Sequence, residues 1–256
     1  MTDFNVPDSP FEPGRQALVG LDESQLVPSG FGAARVHRGI RPALDQLSQA
    51  ARAQGFELHI ASGYRSFERQ CAIWNAKAQG AKPVLDDAGH PLDPLALTAV
   101  ERIHAILRWS ALPGASRHHW GTDIDVYDGS RLAEGESVQL TQAETEGDGP
   151  FAAFHQWLSG YLAGDENPGF YRPYDRDRGG VAPEPWHLSF APLANRYYRD
   201  MTVALLHEAL ESRDVALKRE LLPLLPELVT RYVQVPEGPE PAPQSTPDHP
   251  PPGAPQ

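Results

Sequence analysis

The apolar residues of this chain change their spacing several times, and each change marks an element. Over residues 36–55, VHRGIRPALDQLSQAARAQG, the residues Ile40, Leu44, Leu47 and Ala51 recur at helical spacing. That predicts a helix closed by Gly55. FELHIASGYRS, 56–66, begins with alternation instead, with Phe56, Leu58 and Ile60 on one face. It predicts a strand ending in a Ser-Gly turn. A helical pattern returns over 66–80 with Ser66 as its N-cap. Residues 81–95 carry the prolines, glycine and aspartates of a loop, and 98–114 predict a helix stopped by Pro113 and Gly114.

In SRHHWGTDIDV, 116–126, Ile124 and Val126 alternate with Asp123 and Asp125, so the second half predicts a strand. Residues 128–149 are acidic and glycine-rich and read as an insertion loop. A helix over 150–164, short strands over 169–174 and 184–190, and a largely helical stretch over 195–233 follow. Pro223 and Pro226 are expected to break or kink that last stretch. This order predicts an α+β fold, a single domain with a small, mostly antiparallel sheet flanked by helices. Residues 1–32 read as an irregular N-terminal arm over the surface. Residues 33–235 form the main domain with its C-terminal helical segment. Residues 236–256, proline-rich and without Lys or Arg, read as a disordered tail.

Composition narrows the function. A chain of 256 residues with 40% apolar content can build a substantial core. Its formal net charge of -12 disfavours nucleic acid and anionic membranes as partners. No run approaches the 18 apolar residues of a membrane span. The N-terminus shows no basic segment followed by an apolar run, so no signal peptide is expected. The single cysteine, Cys71, excludes an internal disulfide and fits a reducing compartment. These features together make a cytoplasmic location the expectation.

The opening question of chemistry is why 116–126 crowds two histidines and two aspartates into eleven residues. A turn at Gly121 would fold His118 back over Asp125. Imidazole and carboxylate together suit zinc, which takes about four ligands. His187, in EPWHLSF, is the candidate for a third protein ligand. Two histidines and an aspartate would leave a position for water, the pattern of catalytic zinc. Glu184, three residues before His187, is placed to take that water's proton. His207 and Glu208 lack the second histidine of the helical zinc motif and read as the solvent side of a helix. His37, His59, His104, His119 and His155 have no partner pattern, and Cys71 reads as a core residue.

Three segments in order carry a resemblance: SGYRS at 62–66 followed by FERQ, SRHHWGTDID at 116–125, and EPWH at 184–187. Over roughly residues 30–200 the chain resembles the zinc D-alanyl-D-alanine carboxypeptidases and dipeptidases, the VanY-like branch of the M15 peptidases. The resemblance implies one zinc ion held by His118, Asp125 and His187, with Glu184 as general base. It implies that Arg65 steadies the scissile carbonyl and its developing charge. Ser116 is implied to be a pocket residue, and Tyr64 and Gln70 substrate-side residues near Arg65. The implied substrate is a cell-wall-type peptide with a free C-terminal carboxylate, most readily one ending in D-alanyl-D-alanine. A dipeptidase or peptidoglycan endopeptidase of the same family is the alternative. A catalytically silent metal-binding scaffold is the alternative from another class.

One position departs from the family pattern, which has Ala where this chain has Asp123. Asp123 shares a strand face with Asp125. Three roles are open to it: holding a ligand histidine or a basic group, adding negative charge that alters neighbouring pKa values and substrate choice, or facing solvent at the sheet edge. Recognition of a terminal carboxylate needs a local cation or hydroxyl, for which Ser116, Arg69 and Arg117 are candidates. The loops 81–97 and 128–149 are placed to rim a cleft.

Overall fold

A computed structural model describes residues 13–87, 89–133 and 135–239. The chain runs through α1 (Arg15–Leu18), β1 (Leu26–Pro28), β2 (Arg35–His37), α2 (Arg41–Ala53), β3 (Leu58–Ser62) and α3 (Phe67–Ala78). It continues through β4 (Val84–Leu85), β5 (Pro91–Leu92), α4 (Ala99–Leu107), β6 (Asp123–Asp128), α5 (Gln142–Thr145) and α6 (Ala152–Leu162). β7 (Phe170–Tyr171), β8 (His187–Phe190), α7 (Ala191–Asp200), α8 (Val203–Glu211) and α9 (Lys218–Leu228) complete it. This is the expected α+β arrangement. Among the described residues no helix is long and apolar enough to cross a membrane.

The central sheet has the order β3-β6-β8-β7, antiparallel throughout. Its two faces differ because the side-chain period of a strand is two. Ile124 and Val126 of β6 and Leu188 of β8 point to one side and are fully buried. They pack with Leu44 and Leu47 of α2 and Leu158 of α6. Asp123, Asp125, His187 and Ser189 occupy the alternate positions and form the polar face. A second apolar cluster joins α3, α4, α8 and α9 through Trp74, Ile103, Leu206 and Leu221.

Several boundaries follow from local chemistry. Ser66 caps α3 by accepting a hydrogen bond from the Arg69 backbone N–H at 3.2 Å. Thr98 and Glu101 close a reciprocal capping box at the start of α4. Other expectations need correction. The helix expected over 98–114 ends at Leu107, and the 81–95 loop contains the β4–β5 hairpin. Pro223 and Pro226 lie inside α9 rather than breaking it. A helix-interior proline costs about 3 kcal/mol. Burial of Leu221, Leu225 and Leu228 on one face, at roughly 1.5–3 kcal/mol each, offsets that cost. The breaks in the 195–233 stretch fall instead between α7, α8 and α9.

The stretch from residue 13 to 32 is also more than a surface arm. Ala17, Leu18 and Val19 are buried in the second cluster, and the Trp120 indole donates to the Leu18 carbonyl at 3.0 Å. β1 pairs with β2. Residues 1–12 lie outside the described residues, as do residues 240–256 of the tail expected over 236–256. Within the described part of that tail, Gly238 exchanges hydrogen bonds of 3.0 and 3.1 Å with the buried Asn195 side chain.

The turn before β6 depends on Gly121. It follows a 3-10 turn, Arg117–Trp120, and has φ +67, in the left-handed region that glycine adopts without strain. A Cβ there would lie 2.8 Å from both the His37 backbone nitrogen and Leu26 Cδ2. Gly121→Ala is expected to lower stability by about 1–3 kcal/mol. Urea unfolding of the two proteins checks it, and coincident curves would remove the constraint.

Candidate metal centre

The site is assembled by strand register. Antiparallel pairing sets Asp125 of β6 directly opposite His187 of β8, and directly opposed side chains in such a pair are close neighbours. The turn at Gly121 then brings His118 over the same face, as the sequence suggested. His118 Nε2 lies 3.3 Å from Asp125 Oδ2, and His187 Nδ1 lies 3.2 Å from Asp125 Oδ1. The two imidazole rings sit 4.8 Å apart, centre to centre. One ligand atom from each of His118, Asp125 and His187 falls within 4.8 Å of the others, and all three residues are buried.

Hydrogen bonds on the far side of each ring fix which nitrogen faces the centre. The Gly63 carbonyl accepts from His118 Nδ1 at 2.9 Å, leaving the Nε2 lone pair directed inward. Asp123 Oδ1 accepts from His187 Nε2 at 3.1 Å, leaving Nδ1 inward. Glu184 Oε2 stands 3.4 Å from the same Nδ1. Burial disfavours a charged His187, yet its hydrogen bonds to Asp123, Asp125 and Glu184 raise its pKa well above 6.5. Three carboxylates around one buried imidazole demand positive charge. A divalent cation supplies it, and two nitrogen donors with one oxygen donor suit zinc.

A bulge in β3 completes the surroundings. Ile60 pairs with Val126 but Ser62 pairs with Asp125, so two residues of β3 span one of β6. Ser62 is thereby set beside the polar face, where its hydroxyl accepts from Arg65 at 2.9 Å. Arg65 also donates to Gln70 Oε1 at 2.8 Å. Those two bonds leave further guanidinium N–H donors unused. A cavity of about 580 Å³ opens over the centre, lined by Arg65, Ser116, Tyr174 and Glu184 as well as the three candidate ligands. Leu85 and Asp87 from the β4–β5 hairpin and Gln139–Ala143 from the 128–149 loop form part of its wall, as expected of rim loops.

Other expected residues divide. Ser116 lines the cavity, and its buried hydroxyl has no hydrogen-bond partner among the described residues. Tyr64 and Gln70 do not line the cavity. Tyr64 donates its hydroxyl to the Gly20 carbonyl at 3.0 Å. Gln70, fully buried, bridges Arg65 to the Ala111 carbonyl, to which it donates at 2.6 Å. Asp123 is 0% exposed and holds three partners, which excludes the solvent-facing role. Besides His187 it accepts from Arg117 Nε at 2.7 Å and from the Thr122 hydroxyl at 2.8 Å. Burial opposes its ionisation, but Arg117 and His187 outweigh burial and hold its pKa below the usual carboxylate range.

Arg117 is therefore committed elsewhere. It also donates to Ser189 Oγ at 2.7 Å and to the Tyr171 hydroxyl at 3.0 Å. Arg69 is exposed and does not line the cavity. His119 was passed over in the sequence yet positions Arg65. The Gly114 N–H donates to its Nε2 at 3.0 Å, so its Nδ1–H donates to the Arg65 carbonyl at 2.6 Å. Burial lowers its pKa to about 3, keeping it neutral for that role. Tyr174, edge-on to His187 at 5.0 Å, was also missed, since a tyrosine in the turn after a short strand carries no distinguishing pattern. His37, His59, His104 and His155 do not line this cavity. His207 and Glu208 are exposed, and Cys71 packs half-buried against the second cluster.

A family model described as VanY, D-alanyl-D-alanine carboxypeptidase, matches residues 33–193. The chain belongs to the VanY family. This is a family of zinc metallopeptidases. Two uncharacterised Haemophilus influenzae proteins are similar, one 50% identical over 27% of this chain and 48% of its own length. The other is 30% identical over 48% of this chain and 92% of its own length. A D-alanyl-D-alanine carboxypeptidase of Enterococcus faecalis is 30% identical over 61% of this chain and 48% of its own length. This chain thus spans about half the length of the first and third of these relatives. A solved structure of VanYB with D-Alanine-D-Alanine shares 24% identity over 74% of this chain and 89% of that one, with TM-score 0.47. The LdcB LD-carboxypeptidase shares 22% identity over 75% and 79%, with TM-score 0.46.

Within this VanY-family chain, the departure at Asp123 has a physical account. The neighbouring Arg117 is 4% exposed, and an alanine at 123 would strand its buried charge. Asp123→Asn should weaken zinc binding by about 10–100-fold, because the partner of His187 Nε2 is altered. Competition against a chelator measures it. Asp123→Ala should also lower stability by about 3–5 kcal/mol by leaving Arg117 unpaired; unfolding curves would show this.

Proposed function

We propose that the chain is a zinc-dependent carboxypeptidase that removes a terminal D-alanine from cell-wall-type peptides. The observation that carries this reading is the convergence of His118, Asp125 and His187 on one point, with Glu184 beside it, under a cavity. His118 Nε2, His187 Nδ1 and an Asp125 oxygen would hold the ion. Zinc, when bound there, polarises an amide carbonyl and lowers the pKa of a water.

Glu184 is the base that takes the water's proton, and it later returns that proton to the leaving amine. Its backbone is tethered for this. The backbone N–H of Glu184 donates to the Tyr174 carbonyl at 3.0 Å, and that of His187 donates to the Glu184 carbonyl at 3.1 Å. Arg65 directs its remaining N–H donors to the carbonyl oxygen as that oxygen gains charge. The bonds from Arg65 to Ser62 and Gln70, with His119 on its backbone carbonyl, set the guanidinium before substrate arrives. Such preorganisation avoids reorganisation during the reaction. No covalent acyl-enzyme is required, and Cys71 does not line the cavity.

Incubation of zinc-loaded protein with short peptides ending in D-alanyl-D-alanine, with products identified by mass, tests the reading. Loss of one alanine is the expected product; release of the dipeptide or internal cleavage would reassign the chain to another activity of the family. No product from any such peptide would favour a silent metal-binding scaffold. Glu184→Gln should nearly abolish turnover while zinc content stays unchanged, and full turnover in that variant would exclude its role as base. Arg65→Ala should reduce turnover by about 10²–10³ with little loss of zinc. Equal losses of metal and activity would make Arg65 a structural residue.

A further inference from the structure

The α3 helix presents Gln70, Trp74 and Lys77 at spacings of four and three, on one face. Gln70 and Trp74 are fully buried, the first holding Arg65 and the second in the core. Lys77 follows them onto the wall of the cavity above the metal centre. It is half-buried, and its ammonium makes no hydrogen bond or ion pair among the described residues. Burial, then the nearby cations of Lys82 and Arg65, push its pKa down to about 8, while Glu184 pulls the other way. At neutral pH it therefore remains mostly a cation, partly removed from water and without a counter-ion. Such a group is costly to hold unless an anion joins it.

The other charges on this wall are engaged or already assigned: Arg65 is held by Ser62 and Gln70, and its remaining donors serve the scissile carbonyl. Arg117 is locked on Asp123. Asp87 is held by Arg108 at 2.8 Å. Asp125 and Glu184 face the centre itself. Ser116 Oγ lines the same cavity and has no hydrogen-bond partner among the described residues. An ammonium and a hydroxyl, both unengaged, match the oxygens of one carboxylate.

We propose that Lys77 receives the terminal carboxylate of the peptide substrate, with the Ser116 hydroxyl as a further donor, and so restricts the site to peptides with a free C-terminus. The proposal rests on the carboxypeptidase reading above and supplies the cation that reading needs. Lys77 binds the part of the substrate that leaves. It takes no part in the proton transfers of Glu184. Replacing it should therefore change affinity for one end of the peptide and leave the metal in place.

The test measures binding without turnover. N-acetyl-D-alanyl-D-alanine and its C-terminal carboxamide are titrated calorimetrically into zinc-loaded Glu184→Gln protein, with Lys77, Lys77→Met or Lys77→Arg. With Lys77 the acid should bind at least about tenfold more tightly than the amide. Lys77→Met should bring the two within about threefold by weakening the acid alone, and Lys77→Arg should retain most of the preference. An acid preference that survives Lys77→Met would overturn the proposal. So would equal binding of acid and amide, or no binding of either, to the protein that retains Lys77. Absence of hydrolysis by the wild-type protein, with the acid preference intact, would instead count against the peptidase reading and leave the Lys77 assignment standing.

Discussion

The pairing of β6 with β8 is the constraint on which the rest of this structure turns. It opposes Asp125 to His187 and Asp123 to Ser189. A slip of one residue would send both aspartates into the apolar face and bring Ile124 and Val126 to the polar one. Burying those carboxylates among leucines would cost far more than any local contact could return. The hydrophobic core on one side of the sheet therefore fixes the geometry of the metal centre on the other.

Charge accumulates on that polar face in a way that only mutual compensation permits. Asp123, Asp125 and Glu184 surround His187, and Arg117 answers Asp123 from behind. Asp123 and Arg117 act as a pair, since either alone would be a buried unpaired charge. The family pattern's alanine at this position and the aspartate here are thus not interchangeable without a change at 117. What the pair achieves locally is to hold one imidazole nitrogen and leave the other aimed at the centre. The same principle operates on His118 through the Gly63 carbonyl and on Arg65 through Ser62, Gln70 and His119. The inner groups are each held by a residue that does not itself face a substrate.

Around this rigid base, the walls of the cavity come from less regular parts of the chain. The β4–β5 hairpin and the 139–143 segment contribute side chains from loops, while α3 contributes Lys77 from a helix anchored by Trp74. The paired strands hold Asp125 and His187, the short segments leaving β3 and entering β8 hold Arg65 and Glu184, and loops shape what can enter.

The sequence alone determined the α+β class, the alternation of β6, the Ser66 cap, and the ligand candidates His118, Asp125 and His187 with Glu184. Those are local signals: period, turn chemistry and short spacings between residues of telling type. It did not show that residues 17–19 join the core, that Pro223 and Pro226 sit within a helix, or that Tyr64 turns away from the cavity. Nor could it choose among the roles of Asp123, separate committed Arg117 from free Lys77, or find the part His119 plays behind Arg65. Each of those depends on which partner a side chain meets across tens of residues, as Arg117 meets Ser189 and His119 meets Arg65. Spacing along a chain specifies which faces residues share within an element. Burial and pairing between elements exist only once the sheet and its helices have packed, and they decide which charges are spent on the fold and which remain for a substrate.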